Sequence, residues 1–352
     1  MNDLDYRAPR WLPGSHLQTI IPALISKAPQ VGYRRERWDT PDHDFIDIDW
    51  VDADYDAPLM VLLHGLEGSS QSHYARALMA RVRQLGWRGC VPHFRGCSGE
   101  PNRAPRAYHA GDTAEVEWII SQLRRHHPAA PLMLCGVSLG GNQVLKWLGE
   151  QGQHAQDKIT AAAGISAPLD LLAAGEVLDR GINRHVYTRE FLRTLKPKAL
   201  NTLQRFPLLA DADVISKANS FKEFDRFFTA PVHGYVDHND YWRRASSKPG
   251  LRNIAVPTLV INARNDPFLP EAALPQQHEV ADCVELCFPQ QGGHVGFAQG
   301  AFPGNLEWLP NKLTHFFQRY LGSRCAHCLV SLWRHSAPFT LHTIAAMHNK
   351  CV

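Results

Sequence analysis

The chain has 352 residues, 44% of them hydrophobic and 20% charged, and 37 basic side chains balance 34 acidic ones to a net +3 with histidines neutral. Such a composition excludes a disordered or fibrous chain and gives no electrostatic footprint for nucleic acid. Its length suits one large α/β domain with an insertion, or two smaller domains. The first residues, Met1-Asn2-Asp3-Leu4-Asp5-Tyr6, lack the basic-then-apolar pattern of a secretory signal. No apolar run reaches the roughly 18 residues that span a bilayer. The cysteines are scattered, and Cys90, Cys135, Cys283 and Cys287 sit in apolar runs, where they read as small buried hydrophobes. A reducing cytoplasm is the expected location.

Residues 8–26 form a Pro-punctuated lead-in ending in a short apolar helix or coil, where His16 is expected to cap or pack. Residues 32–38 and the period-two run Phe45-Ile46-Asp47-Ile48-Asp49-Trp50 predict an antiparallel hairpin with one face wet. The pattern then changes. Residues 59–64 are continuously apolar, as a strand buried on both faces should be. Helical periodicity follows over 73–85 with Gly86 as C-cap, then a strand at 87–92 and a helix over 111–124. In Phe94-Arg95-Gly96-Cys97-Ser98-Gly99-Glu100, Arg95 and Glu100 are expected to pair and hold the loop.

The next strand, Leu132-Met133-Leu134-Cys135, runs into Gly136-Val137-Ser138-Leu139-Gly140 and a helix over 139–149, and residues 159–166 give another strand. Strand–helix alternation predicts a mostly parallel, doubly wound sheet. It stops for almost ninety residues and resumes with strands at 257–262 and 284–288 and a helix over 305–320. The predicted insertion, about 168–250, is mainly helical and covers the carboxyl ends of the strands, where such sheets bind ligands. Within it, residues 237–244 read as a helix packing on the core, while Phe221, Phe224, Phe227 and Phe228 suit either a small helical core or contact with an acyl chain. One α/β domain carrying this insertion is thus expected over 1–321. Residues 322–352, with Cys325-Ala326-His327-Cys328, lack a second metal-binding pair and are expected to form a poorly ordered tail with no metal.

The chemistry converges on Ser138. A Gly-x-Ser-x-Gly between strand and helix holds a serine on a sharp, strained turn with its hydroxyl exposed. Serine is a weak nucleophile and needs a base oriented by an acid, in the order Ser, acid, His. Downstream, Asp266 in Asn265-Asp266-Pro267-Phe268 and His294 in Gly292-Gly293-His294-Val295-Gly296 each follow a strand. They are the acid and base candidates. A tetrahedral intermediate needs two donors for its oxygen. The backbone N–H of Leu139, after the serine, is one; that of Leu66 in His64-Gly65-Leu66-Glu67-Gly68 is the other. His64 is expected to shape that turn and not to exchange protons.

Together with His16-Leu17-Gln18-Thr19, His233-Gly234-Tyr235 and the Phe94–Glu100 stretch, these motifs make the chain similar to the YheT-like group of predicted serine esterases in the α/β-hydrolase superfamily. The resemblance spans about residues 8–320. It implies the α/β-hydrolase fold, with a mostly parallel sheet, an N-terminal antiparallel hairpin and a helical cap. It also implies hydrolysis of short- to medium-chain or lipid-like acyl esters, with Ser138, Asp266 and His294 as the triad and no cofactor. The same triad serves an acyltransferase, and a binding protein could keep the fold without the chemistry. Peripheral membrane contact through the cap is a further expectation, with no transmembrane segment and no nucleic acid.

Overall fold

The side chains of residues 59–63 alternate between two cores, and this alternation places the sheet. The structure, a computed structural model, describes residues 5–321; the expectations for the tail 322–352 lie outside the described residues. The strands are β1 (Arg34–Asp39), β2 (Phe45–Val51), β3 (Leu59–Leu63), β4 (Arg88–Pro92), β5 (Leu132–Val137), β6 (Ala161–Ile165), β7 (Thr258–Ile261) and β8 (Val284–Cys287). Their order is β1-β2-β4-β3-β5-β6-β7-β8. The β1–β2 and β2–β4 pairs are antiparallel and the rest are parallel. Leu59, Val61 and Leu63 enter one core with α3 (Thr113–His126) and α4 (Leu139–Gln151). Met60 and Leu62 enter the other, with α2 (His73–Gln84) and the terminal helix Trp308–Leu321. Period-two side chains and helices on both faces explain why the run is apolar throughout. No helix of the described residues is long and apolar enough to cross a membrane.

The hairpin corrects one expectation. All seven residues of β2 are buried, so its acidic side chains are not wet and the hairpin's exposed strand residues belong to β1. In the register, Arg35 stands opposite Asp49 and Arg37 opposite Asp47. Each arginine grips its carboxylate with two hydrogen bonds, 2.7 and 2.9 Å for Arg35 and 2.7 and 2.8 Å for Arg37. The acidic face is roofed by guanidinium groups, which match a carboxylate in shape and charge. Cys90 and Cys135 are fully buried as expected, but Cys283 and Cys287 are only partly so. They sit at or near β8, the edge strand, where no further strand covers them.

The Arg95–Glu100 pair does not form either. Glu100 reaches Arg37 at 3.0 Å. Arg95, almost wholly buried, binds Asp42 at 2.7 Å, Asp44 at 3.1 Å and Glu115 at 2.7 Å. A guanidinium this deep needs several acceptors to offset lost hydration, and the hairpin turn and α3 supply them. Between β6 and β7 the chain makes a single helical excursion, including helices Leu171–Leu178, Arg189–Arg205 and His238–Ala245. In the last of these Tyr241 and Trp242 are buried against the core, as the sequence predicted. Replacing Arg95 by Met strands Asp44 and Glu115 without their cation and should destabilise the fold by about 3–5 kcal/mol. Urea unfolding checks this, and a change below about 1 kcal/mol, the size of an exposed pair, would contradict the network.

Candidate active site

Between β5 and α4 the backbone turns at Ser138, with φ 53° and ψ −120°. A non-glycine residue in this region is strained and persists only where its surroundings hold it. Here they do. The Ser138 N–H donates to the Ile165 carbonyl of β6 at 2.8 Å, and its carbonyl accepts from Asn142 N at 3.0 Å. A Cβ on Gly140 would lie 2.5 Å from the carbonyl oxygens of Leu63 and His64, and one on Gly136 would collide with the Gly140 carbonyl. The motif's glycines are therefore required by the close approach of α4 to the ends of β3 and β5.

The loops after β7 and β8 bring the other two candidates to the serine. His294 Nε2 lies 2.9 Å from Ser138 Oγ, and Nδ1 lies 2.9 Å from Asp266 Oδ2. With the carboxylate accepting, Nδ1 carries the proton and Nε2 is left to accept from the hydroxyl. Asp266 Oδ1 also accepts from Phe268 N at 2.8 Å. The Phe268 ring stacks on the imidazole, with centroids 3.9 Å apart. All three side chains named in the sequence thus form one hydrogen-bonded line.

Leu66 and Leu139 border the same cavity as Ser138 and His294. In the turn after β3, Gly65 N donates to Tyr74 Oη at 2.8 Å, Glu67 N to Tyr108 Oη at 3.0 Å and Gly68 N to the Gly65 carbonyl at 3.0 Å. The Leu66 amide between them has no hydrogen-bond partner among the described residues. Leu139 is the first residue of α4, where helix amides lack an internal acceptor. His64 is fully buried, with Nδ1 2.8 Å from the Gly65 carbonyl and Nε2 accepting from Phe94 N at 3.1 Å. Burial pushes its pKa down to about 3. It is a neutral brace for the turn, as the sequence suggested. The two tyrosine hydroxyls carried no signal in the sequence, because they reach the turn from 9 and 41 residues away with no motif linking them to it.

The cavity, about 120 Å³, is walled mainly by the insertion, including Leu171, Leu178, Phe191, Phe221 and Phe224. The phenylalanine cluster therefore divides. Phe221 and Phe224 face the cavity, whereas Phe228 joins Phe224 in a small core with Leu192 and Leu203. One carboxyl sits in the wall: Asp225 accepts from Thr229 Oγ1 at 2.6 Å and Trp242 Nε1 at 2.8 Å, and burial pushes its pKa up to about 6.

A family model described as the alpha/beta hydrolase fold matches residues 58–301. The chain belongs to that family. Within it, this hydrolase is 37% identical over 320 residues to YheT of Escherichia coli (strain K12), a protein that carries an esterase name, covering 90% of this chain and 93% of that one. It is 32% identical over 310 residues to phospholipase ABHD3 of Homo sapiens, covering 86% and 75%. Among solved structures, the esterase Pf2001 of Pyrococcus furiosus superposes with a TM-score of 0.54 at 17% identity, covering 85% and 99%, a likeness of fold.

In this hydrolase His109, which also borders the cavity, is likewise held near 3 by burial. Both His64 and His109 have folded values below the ordinary 6.5. The unfolded chain therefore takes up protons first as pH falls, so stability is fully present above 6.5 and is lost from there toward 3. Each contributes at most about 1.4 kcal/mol per pH unit in that window. Urea midpoints should fall between about pH 7.5 and about pH 5, and a flat profile would contradict neutral burial of these rings.

Proposed function

We propose that the protein is a serine hydrolase of carboxylic esters that works through an acyl-enzyme. The observation that carries this reading is the Asp266–His294–Ser138 line on the wall of an apolar cavity. Ser138 Oγ attacks the ester carbonyl while His294 Nε2 takes its proton. Asp266 fixes the imidazole tautomer and stabilises the imidazolium. The carbonyl oxygen becomes an oxyanion and accepts from the N–H groups of Leu66 and Leu139, the second aided by the positive end of α4. As the tetrahedral adduct collapses, His294 protonates the departing alcohol and leaves an acyl group on Ser138. A water then gives its proton to His294 and attacks the acyl carbon. A second collapse releases the acid and returns the proton to Ser138. The cycle requires no metal or organic cofactor.

The relatives support ester chemistry through their names, which include an esterase, a phospholipase and a monoacylglycerol lipase. In our reading the 168–250 insertion is a cap whose leucines and phenylalanines receive the acyl chain. Its cavity of about 120 Å³ is comparable with the roughly 150 Å³ apolar cavity that accepts benzene. Short- to medium-chain acyl groups fit that space best.

Replacing Ser138 by Ala should lower turnover of p-nitrophenyl butyrate by on the order of 10⁴-fold or more. A fluorophosphonate probe should label the wild type at Ser138 and leave the variant unlabelled. Activity retained in the variant would overturn the assignment. Phe221→Ala widens the cavity and should move the preferred p-nitrophenyl ester to a longer acyl chain. A chain-length profile identical to wild type would place the acyl group elsewhere.

A further inference from the structure

The loop that carries His294 is strained at two positions just beyond the imidazole. Val295 has φ 58° and Phe297 has φ 40°, a region in which a β-branched or aromatic residue costs about 1–3 kcal/mol. Such a loop holds its shape only if neighbouring groups determine it. Those neighbours come largely from helix α1 (Ser15–Leu24), which precedes the span 58–301 matched by the family model. Gln18 is completely buried. Its Oε1 accepts two hydrogen bonds of 2.9 Å, one from Gly292 N in the base loop and one from Asn265 Nδ2 in the acid loop. Its Nε2 donates to the Leu12 carbonyl at 2.9 Å, which fixes which end of the amide faces the loops. Asn265 Oδ1 in turn accepts from Gly293 N at 3.1 Å. Thr19 Oγ1 accepts from the backbone N of His294 itself at 2.9 Å and donates to the Ser15 carbonyl at 2.8 Å. The contact is close-packed, since a Cβ on Gly296 would collide with the Gln18 carbonyl.

We propose that Gln18 and Thr19 are positioning residues of the active site. Gln18 ties the acid loop to the base loop, Thr19 holds the His294 backbone, and together they set the aim of Nε2 at Ser138. Neither side chain touches the reacting atoms. Their effect passes through His294, so it falls on the chemical step and not on the cavity that binds the acyl group. The inference rests on the triad reading of Ser138, Asp266 and His294.

The test compares Thr19→Val, Thr19→Ser, Gln18→Leu and Ser138→Ala with wild type, using p-nitrophenyl butyrate and thermal unfolding. Thr19→Val keeps the shape and removes the hydroxyl. It should lose roughly 10- to 100-fold in kcat, the scale of a misplacement near 1 Å, with KM held and Tm lowered by only a few degrees. Thr19→Ser restores the hydroxyl and should restore most of kcat. Gln18→Leu should follow Thr19→Val in direction. Four outcomes overturn the proposal: wild-type kcat in a folded Thr19→Val or Gln18→Leu, an effect on KM alone, equal losses in the Ser and Val variants, or loss of a cooperative unfolding transition in both Thr19→Val and Gln18→Leu, which would make the pair fold determinants. The Ser138→Ala arm separates the two levels. Turnover retained there removes the triad reading itself, whereas a dead Ser138→Ala beside a fully active Thr19→Val removes only the positioning role.

Discussion

The close approach of α4 to the end of β3 is the constraint on which the site depends. A side chain at position 140 would meet the carbonyls of Leu63 and His64 at 2.5 Å, so the first turn of α4 can touch the strand only without one. That contact does three things at once. It forces the turn at Ser138 into its positive-φ conformation, it sets the Leu139 amide at the helix start, and it brings the turn containing Leu66 alongside. A Cβ on Gly65 would itself lie 3.1 Å from Ser138 Cβ. The candidate nucleophile and oxyanion donors are therefore consequences of one packing event at the ends of β3 and β5.

This is why the elbow was legible in the sequence. Local sterics write themselves into local residue choice, and a glycine is the only residue that admits backbone at that distance. The strand–helix alternation was legible for a similar reason, because burial on one or two faces imposes a period within a few residues. The order serine, aspartate, histidine then followed from where each loop leaves the sheet. The electrostatics were not legible in the same way. Arg95 takes partners 51 and 53 residues upstream and 20 downstream, and nothing in the spacing favours those over Glu100, five positions away. The acids of β2 looked solvent-facing because their alternation is the same whether water or an opposite arginine covers them. The division of the phenylalanines was also hidden, since Phe224 serves the cavity and the small core together.

The three members of the line are held in unequal ways. Ser138 sits where two strands and a helix meet, its N–H bonded to β6 and its carbonyl to the first turn of α4. Asp266 follows β7 by a few residues and is steadied by the Phe268 amide. His294 is seven residues beyond the end of β8, the edge strand, on a loop whose backbone is strained at two non-glycine positions. Its supports include Ser166 Oγ, accepting from Val295 N at 3.1 Å, His73 Nε2, 3.3 Å from the Val295 carbonyl, and the ring of Phe268. The base is thus the member least able to keep its aim from the sheet alone.

That inequality gives the segment before the sheet a reason to exist. Its helix turns a buried amide and a buried hydroxyl toward the acid and base loops, more than 240 residues away in sequence. His16, on the same helix, meets Tyr187 of the insertion at 3.0 Å, and the Tyr187 ring packs edge-on to Phe268 at 4.7 Å. One short helix therefore touches the loop of His294 on one side and the insertion on the other. The insertion is thus in contact, through Tyr187, with both Phe268 and α1, the two elements packed against the imidazole and its loop. The sheet fixes the position of Ser138, while the placement of the His294 ring is shared between a helix outside the sheet, through Gln18 and Thr19, and the ring of Phe268, against which Tyr187 of the insertion packs.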